Sequence, residues 1–280
     1  MMQRGVICLL LAEFCFASAT VFAKFITRDS DIPAIEITFF RFFIGFFLFV
    51  YYIRIKKVSL RPNRWFLVIL RAAFSFTALV FFFYSVQYTS VTNANMLNMT
   101  YPVFVFMIAP FFWKQKIKTL AVFYLLLTIT GIYLVIQPDF SSINPGDIYG
   151  LLSGIVAAFS IIVLSMAREH DSTVIIVFYL MTLGIVFNGF LMLPVFVMPK
   201  GIQYLYLVAS GVFGVLGQVF LTMAYKYINA KDGSMVSSSR IVFAAFLGFF
   251  IFSDALTLPV IAGGLMIVGS IIGVSRLQYR

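Results

Sequence analysis

Charge is what this chain of 280 residues has least of: 11% of its positions are Asp, Glu, Lys or Arg, and there is one histidine, His170. No HExxH, GxSxG, phosphate-binding glycine loop or pair of neighbouring aspartates occurs. Metalloprotease, serine-hydrolase and nucleotide-driven pump chemistries are therefore excluded, and an enzyme reading has no nucleophile, base or metal set to start from. Cysteine is also scarce. Cys8 and Cys15 stand seven residues apart, about 10 Å along a helix axis, which is too far for a disulfide, and they read as small buried apolar residues. No polar stretch is long enough to make a soluble domain.

What fills the chain is apolar surface. Hydrophobic residues make up 62% of it, and the mean hydropathy is +1.04. A hydrocarbon core of about 30 Å takes roughly 20 helical residues per crossing, and ten such stretches fit with only short turns between them. They fall near 5–27, 32–54, 65–87, 92–112, 118–138, 147–168, 173–196, 203–223, 233–252 and 255–275. The pattern predicts an all-α integral membrane protein of ten transmembrane helices. The first apolar segment lacks a small-residue cleavage site followed by a polar region and reads as retained.

Sorting Lys and Arg by loop orients the chain. Arg4, Arg54, Lys56, Lys57, Arg61, Arg64, Lys114, Lys116, Lys118, Arg168, Lys226, Lys231, Arg276 and Arg280 fall on one side, against Lys24, Arg28 and Lys200 on the other. This bias predicts both termini in the cytoplasm of a cell inner membrane. It reports orientation and contact with the lipid bilayer and its anionic lipids, not a nucleic-acid partner.

Shifted against itself by 139 residues, the chain pairs Gly45 with Gly184, Val80 with Val219, Phe81 with Phe220, Tyr88 with Tyr227, Met96 with Met235, Phe104 with Phe243 and Ile132 with Ile271. The register holds from the second helix of each half to the fifth, and predicts two five-helix repeats, 1–139 and 140–280. Five is odd, so the second copy enters the membrane inverted, and the loop charges follow. WKQKIK after the fourth helix becomes FSDAL with Asp254 after the ninth, whereas the uncharged QYTSVTN becomes YKYINAKD with Lys226 and Lys231. Inverted repeats with opposite charge bias are a transporter pattern.

The chain resembles the EamA-like group of ten-helix proteins in the drug/metabolite transporter superfamily, over nearly its whole length. The likeness is carried by ITFFRFFIGFF with Arg41, by LRAAFSF with Arg71, and by FFYSVQYTSVTNANMLNMTYPVFVFMIAPFFWKQKI with Pro102. AYKYINAKDGSMVSSSRIVFAAFLGFFIFSDAL echoes the last in the second half. The resemblance implies transport of small polar metabolites by alternating access, with helices one to four and six to nine around a central cavity and five and ten outside. It departs from the family at Lys114 and Gln115, where an acidic residue is common; Asp254 supplies one in the second copy only.

An ionisable side chain inside a membrane helix costs about 2.5–3.5 kcal/mol or more, so each asks for a reason. Glu13 lies roughly 12 Å in from the cytoplasmic end of its helix, where a carboxylate binds a cationic group, carries a proton or forms a static ion pair. Arg41 reads either as a functional cation or as the structural partner of Glu36 or a backbone carbonyl. For Arg71, nearer the cytoplasmic interface, snorkelling to lipid phosphate is a sufficient explanation, with a functional role the lesser alternative. Arg240 follows the hydroxyl run Ser237 to Ser239, which no lipid-facing helix should carry, and is the sharper cavity candidate. Asn95 and Asn98 share a stripe with Pro102, beside Tyr101, and either glue helices or line a wet cavity. Pro102 frees a backbone carbonyl in the turn before it, which gives a kink or an additional acceptor. Gln218, Tyr225 and Asn188 extend the polar lining, and Phe16, Phe74, Phe81 and Tyr84 are positioned to flank a planar substrate.

Gly211, Gly214 and Gly217 on the eighth helix, and the GxxxG of Gly269 and Gly273 on the tenth, predict close helix packing, with a homodimer through the tenth left open. The reading is a non-enzymatic secondary transporter of a small polar organic metabolite, an amino acid or related compound, by export. No cofactor or metal is expected, and a proton or an exchanged substrate would drive it. An importer of a cofactor-like compound such as S-adenosylmethionine or riboflavin is the runner-up, and a channel or lipid scramblase is the alternative of another class.

Overall fold

A computed structural model describes residues 2–28, 30–89, 91–113, 119–138 and 144–277. Among the described residues twelve α-helices follow one another: α1 Met2–Arg28, α2 Ala34–Lys56, α3 Trp65–Tyr88, α4 Val91–Asn98, α5 Tyr101–Trp113, α6 Thr119–Ile136, α7 Pro145–Arg168, α8 Thr173–Met192, α9 Gln203–Ala224, α10 Ala230–Ser237, α11 Ser239–Phe252 and α12 Leu258–Leu277. A single 3-10 turn, Leu193–Val195, extends α8. Among the described residues ten stretches are long and apolar enough to cross a membrane, with α4 and α5 sharing one and α10 and α11 another. The ten-span all-α reading therefore holds. Lys114, Gln115, Lys116 and Lys118, Arg280 and the 139/140 boundary lie outside the described residues.

Helix ends are set by local chemistry. Asn144 and Asp147 form a capping box at the start of α7, with Pro145 in its first turn, which supplies donors and acceptors the end of a helix lacks. Asn229 accepts the Asp232 N–H at 2.9 Å to start α10. The start of α3 is capped from a distance, because the buried carboxylate of Asp171 accepts the N–H groups of Asn63 and Arg64 at 2.6 and 3.1 Å. That contact ties the loop before α3 to the loop before α8.

Side chains are distributed as bilayer solvation demands. Phe111 is 84% exposed and Phe190 72%, whereas Glu13, Glu36 and Asn188 are fully buried. Apolar bulk faces outward and the polar groups turn into the bundle, where partners exist. α1 runs along α9 and α3 along α7; α2 packs on α8 and α9, α1 on α11, and α4 and α5 on α7, while α6 and α12 pack on each other.

Small residues permit these approaches. A Cβ at Gly217 would lie 2.7 Å from the Phe16 ring, and one at Gly211 2.5 Å from Ile44, with Gly214 closed off by the Arg41 side chain. The predicted role of the glycines of α9 is thus realised against α1 and α2. On α12 the expectation is only half met. Gly273 packs closely on Tyr124 of α6, but Gly269 faces open space, and a second close approach to α6 is made by Gly131 and Gly263, each of whose Cβ positions is blocked by the other's carbonyl oxygen.

The fourth and ninth spans are both broken. α4 stops at Asn98 and α5 starts at Tyr101, with Pro102 in the first turn, where its missing N–H costs nothing. The predicted kink is therefore a full interruption. In the ninth span the break comes at Ser238, without a proline. Tyr101 and Arg240, 139 residues apart, stand just past the two breaks.

Candidate functional site

An ion pair inside the bundle joins the first span to the ninth. Arg240 Nε donates to Glu13 Oε2 at 2.6 Å, and its guanidinium lies over the Phe16 ring, 4.5 Å from the centroid. Glu13 has no exposure and the Arg240 side chain about one third. Facing α1 and α9 with Phe16 and Gly217 brings the ring beneath the cation, where the π face adds to the ion pair.

This pair borders a cavity of about 200 Å³ lined by Glu13, Arg71, Ser75, Asn98, Tyr101, Ser160, Gln218 and Arg240 among others. Six of the residues singled out from sequence meet there: Glu13, Arg71, Asn98, Tyr101, Gln218 and Arg240. Asn98 Nδ2 donates to the Ser153 hydroxyl at 3.0 Å, which orients its amide across the face of α7. Helices α1, α3, α4, α5, α7, α9 and α11 supply lining, and α2 and α8, expected around the cavity, supply none.

A second cavity of about 390 Å³ lies beyond Arg240, lined by Thr20, Asn95, Ile136, Ala244, Asp254 and Val260 among others. Arg240 and Met99 line both cavities and stand between them. Asn95 and Asn98, one stripe by helical spacing, thus line different cavities.

Several sequence readings need correction. Arg71 does not reach lipid: it is 4% exposed, and its Nη1 donates to the hydroxyls of Ser75, at 2.8 Å, and Ser160. Its side chain points at Ser160 of α7 instead. Arg41 does not pair with Glu36. Five residues apart on a helix they are about 140° apart around the axis, and Glu36 Oε2 instead accepts the Val197 N–H at 3.0 Å. Arg41 rests over the Phe42 ring and against Gly214, outside both cavities. Ser237 is buried at the end of α10 and lines neither. Asn188 bonds back to the Gly184 carbonyl of its own helix at 2.9 Å. Phe74 stacks on Phe159, and Phe81 and Tyr84 pack on Tyr149, so of the four aromatics only Phe16 belongs to the site.

Sequence reasoning missed Ser75 and Ser160. Ser75 carried a signal, being one turn after Arg71 on the same face; Ser160 carried none. Among the described residues no His, Cys, Asp and Glu cluster could hold a metal ion.

A ten-span bundle with a partly polar cavity bordered by an ion pair between sequence-distant helices is the architecture of a membrane transporter of small molecules rather than an enzyme. The chain belongs to the EamA-like transporter family, whose model matches twice, over residues 3–137 and 144–276. It is a multi-pass integral membrane protein and a secondary transporter. It is similar to the pseudopaline exporter CntI of Pseudomonas aeruginosa, at 30% identity over 99% of this chain and 98% of that one. It is also similar to solute carrier family 35 member G1 of Homo sapiens, at 25% identity over 98% and 80% of the two chains. The S-adenosylmethionine uptake transporter of Rickettsia felis is 24% identical over 92% and 88%. One solved crystal structure superposes with a TM-score of 0.85 over 100% of this chain and 99% of its own at 14% identity, a likeness of fold alone.

Proposed function

We propose that this transporter exports a small amino-acid-like metabolite across the cell inner membrane by alternating access, with both termini in the cytoplasm. The observation that carries the reading is the Glu13–Arg240 pair. It joins the first span to the ninth at the wall between the two described cavities, with Phe16 beneath it. A ligand charge that competes for either partner loosens that wall, which is the differential interaction a conformational switch needs. A proton or an exchanged substrate drives the cycle.

Two inverted repeats, 1–139 and 140–280, generate the bundle in this reading. Exchanging halves turns the α1 with α9 contact into the α3 with α7 contact, maps α2 with α8 and α6 with α12 onto themselves, and superimposes the two broken spans. Even the loop contacts follow. Lys24 pairs with Asp254 at 3.3 Å between the end of α1 and the turn before α12, as Glu169 accepts the Trp113 Nε1–H at 3.3 Å between the ends of α7 and α5.

Export is supported by the 30% identical pseudopaline exporter of P. aeruginosa. Import of a cationic cofactor-like compound is the second reading, favoured by the Glu13 carboxylate at the cavity and by the S-adenosylmethionine uptake transporter of R. felis. Proteoliposome uptake of labelled amino acids, S-adenosylmethionine, riboflavin and sugar phosphates, with and without a proton gradient, tests both. Saturable flux of an amino acid, lost in Arg240→Ala, is expected. Flux of S-adenosylmethionine alone would turn the reading to the importer, and leakage of ions or lipid with no saturable solute would turn it to a channel or scramblase.

A further inference from the structure

Of the charged side chains within the spans, Glu13, Glu36, Arg41, Arg71 and Arg240 were singled out from sequence, and their partners leave one charge unaccounted for at the cavity. Glu13 and Arg240 neutralise each other at 2.6 Å. Glu36 accepts the Val197 N–H, and Arg41 lies outside the cavity. Arg71 remains. It lines the cavity and is 4% exposed, yet no described carboxylate pairs with it.

The two serines that hold Arg71 are neutral. Nη1 donates to both hydroxyls, which lie 2.8 Å from each other, while Nε is buried without any hydrogen-bond partner. Ser75 and Ser160 thus fix one side of the guanidinium and leave the Nε edge, which presents two parallel N–H groups in the side-on mode, short of an acceptor. A desolvated cation with neither countercharge nor full hydrogen bonding is costly to keep. A lipid phosphate cannot compensate it, because the side chain faces α7.

We infer that Arg71 is the anchor for a substrate carboxylate, with Ser75 and Ser160 as its positioning residues. A carboxylate in the cavity supplies the missing charge and the missing acceptor together. The match is to a monoanion, since the cavity carries one uncompensated positive charge; a phosphate dianion would exceed it. The inference rests on the transporter reading and reverses the order of importance drawn from sequence, where Arg240 led: a guanidinium already paired with Glu13 has less to offer an anion than one that is not.

The test uses purified full-length protein in detergent and reads thermal unfolding without and with sodium acetate, L-leucine and L-glutamate, against chloride, phosphate and leucinamide at matched ionic strength. Free of ligand, Arg71→Gln is expected to melt no lower than wild type, because a charge without a partner has been removed, whereas Arg240→Gln melts several degrees lower. At least one carboxylate raises the wild-type Tm above chloride, leucinamide does not, and Arg71→Gln loses that shift. Arg71→Lys, which keeps the charge but not the fork, retains a reduced shift.

A ligand-free Tm that falls in Arg71→Gln as it does in Arg240→Gln would make Arg71 a structural tie between α3 and α7 and overturn the inference. So would equal stabilisation by leucine and leucinamide, a larger shift with phosphate than with any carboxylate, or the absence of any carboxylate shift in wild type. Proteoliposome flux separates the two levels: saturable uptake that survives in Arg71→Gln removes the anchor and leaves the transporter standing, while leakage without saturation removes both.

Discussion

Exchanging Glu13 for Gln keeps the size of the side chain and one acceptor but removes the charge opposite Arg240. Breaking a buried ion pair from one side costs about 3–5 kcal/mol, because the other charge is stranded. Arg240 is one third exposed, opening on both cavities, and Glu13 not at all. Water therefore reaches the orphan left by Glu13→Gln better than the orphan left by Arg240→Gln. The first change is expected near the low end, about 3 kcal/mol. The second is expected higher, because it also takes the cation off the Phe16 ring. In Tm a 3 kcal/mol loss is about 6–12 °C at the scaling for large domains. The double variant should cost no more than Arg240→Gln alone, since the second removal strands nothing. Reversible SDS unfolding in mixed micelles would measure all four proteins. Additive losses, agreeing within about 0.5 kcal/mol, would mean that the two groups do not interact and would refute the wall between the cavities.

Other outcomes follow from packing. Gly131→Leu drives a side chain into the Gly263 carbonyl, 2.7 Å from the Cβ position, where only backbone can yield; a loss of at least about 1–3 kcal/mol is expected in the same unfolding assay. Gly269→Ala meets nothing within 4 Å and should be neutral or slightly stabilising, with the oligomeric state on gel filtration unchanged. Gly217→Val presses on the Phe16 ring, 2.7 Å from the Cβ position, and is expected to lower transport more than stability, read as flux per folded protein in liposomes. Asp171→Ala leaves the Asn63 and Arg64 N–H groups without their acceptor, costing about 0.5–2 kcal/mol.

The spans were legible because hydrophobic runs of this length have one solution in a bilayer; their ends were less so, since the starts read near 32, 147 and 233 fall at Ala34, Pro145 and Ala230, where Pro33, Asn144 and Asn229 precede the helices. Which face each polar residue takes was less legible. Glu13 and Arg240 each stood out, but nothing in a single sequence says that positions 227 residues apart touch. Arg71 was misread because depth along a helix is a count of residues while direction around it depends on the neighbour, and Ser160 of α7 is that neighbour. The equivalence of Tyr101 and Arg240 was there to be read at the 139-residue offset; the break before Arg240 was not, since no proline marks it. Asn188 misled for a different reason: an amide in an apolar helix can satisfy its donor on its own backbone.

Counterflow in proteoliposomes tests the central claim most directly. Vesicles loaded with an unlabelled substrate and diluted into a trace of the labelled compound should accumulate label transiently above equilibrium, as a carrier that reorients with ligand bound must, and Arg240→Ala should abolish the overshoot. Label that merely equilibrates, at a rate indifferent to the compound inside, would contradict an alternating carrier and identify an open pathway through the bundle.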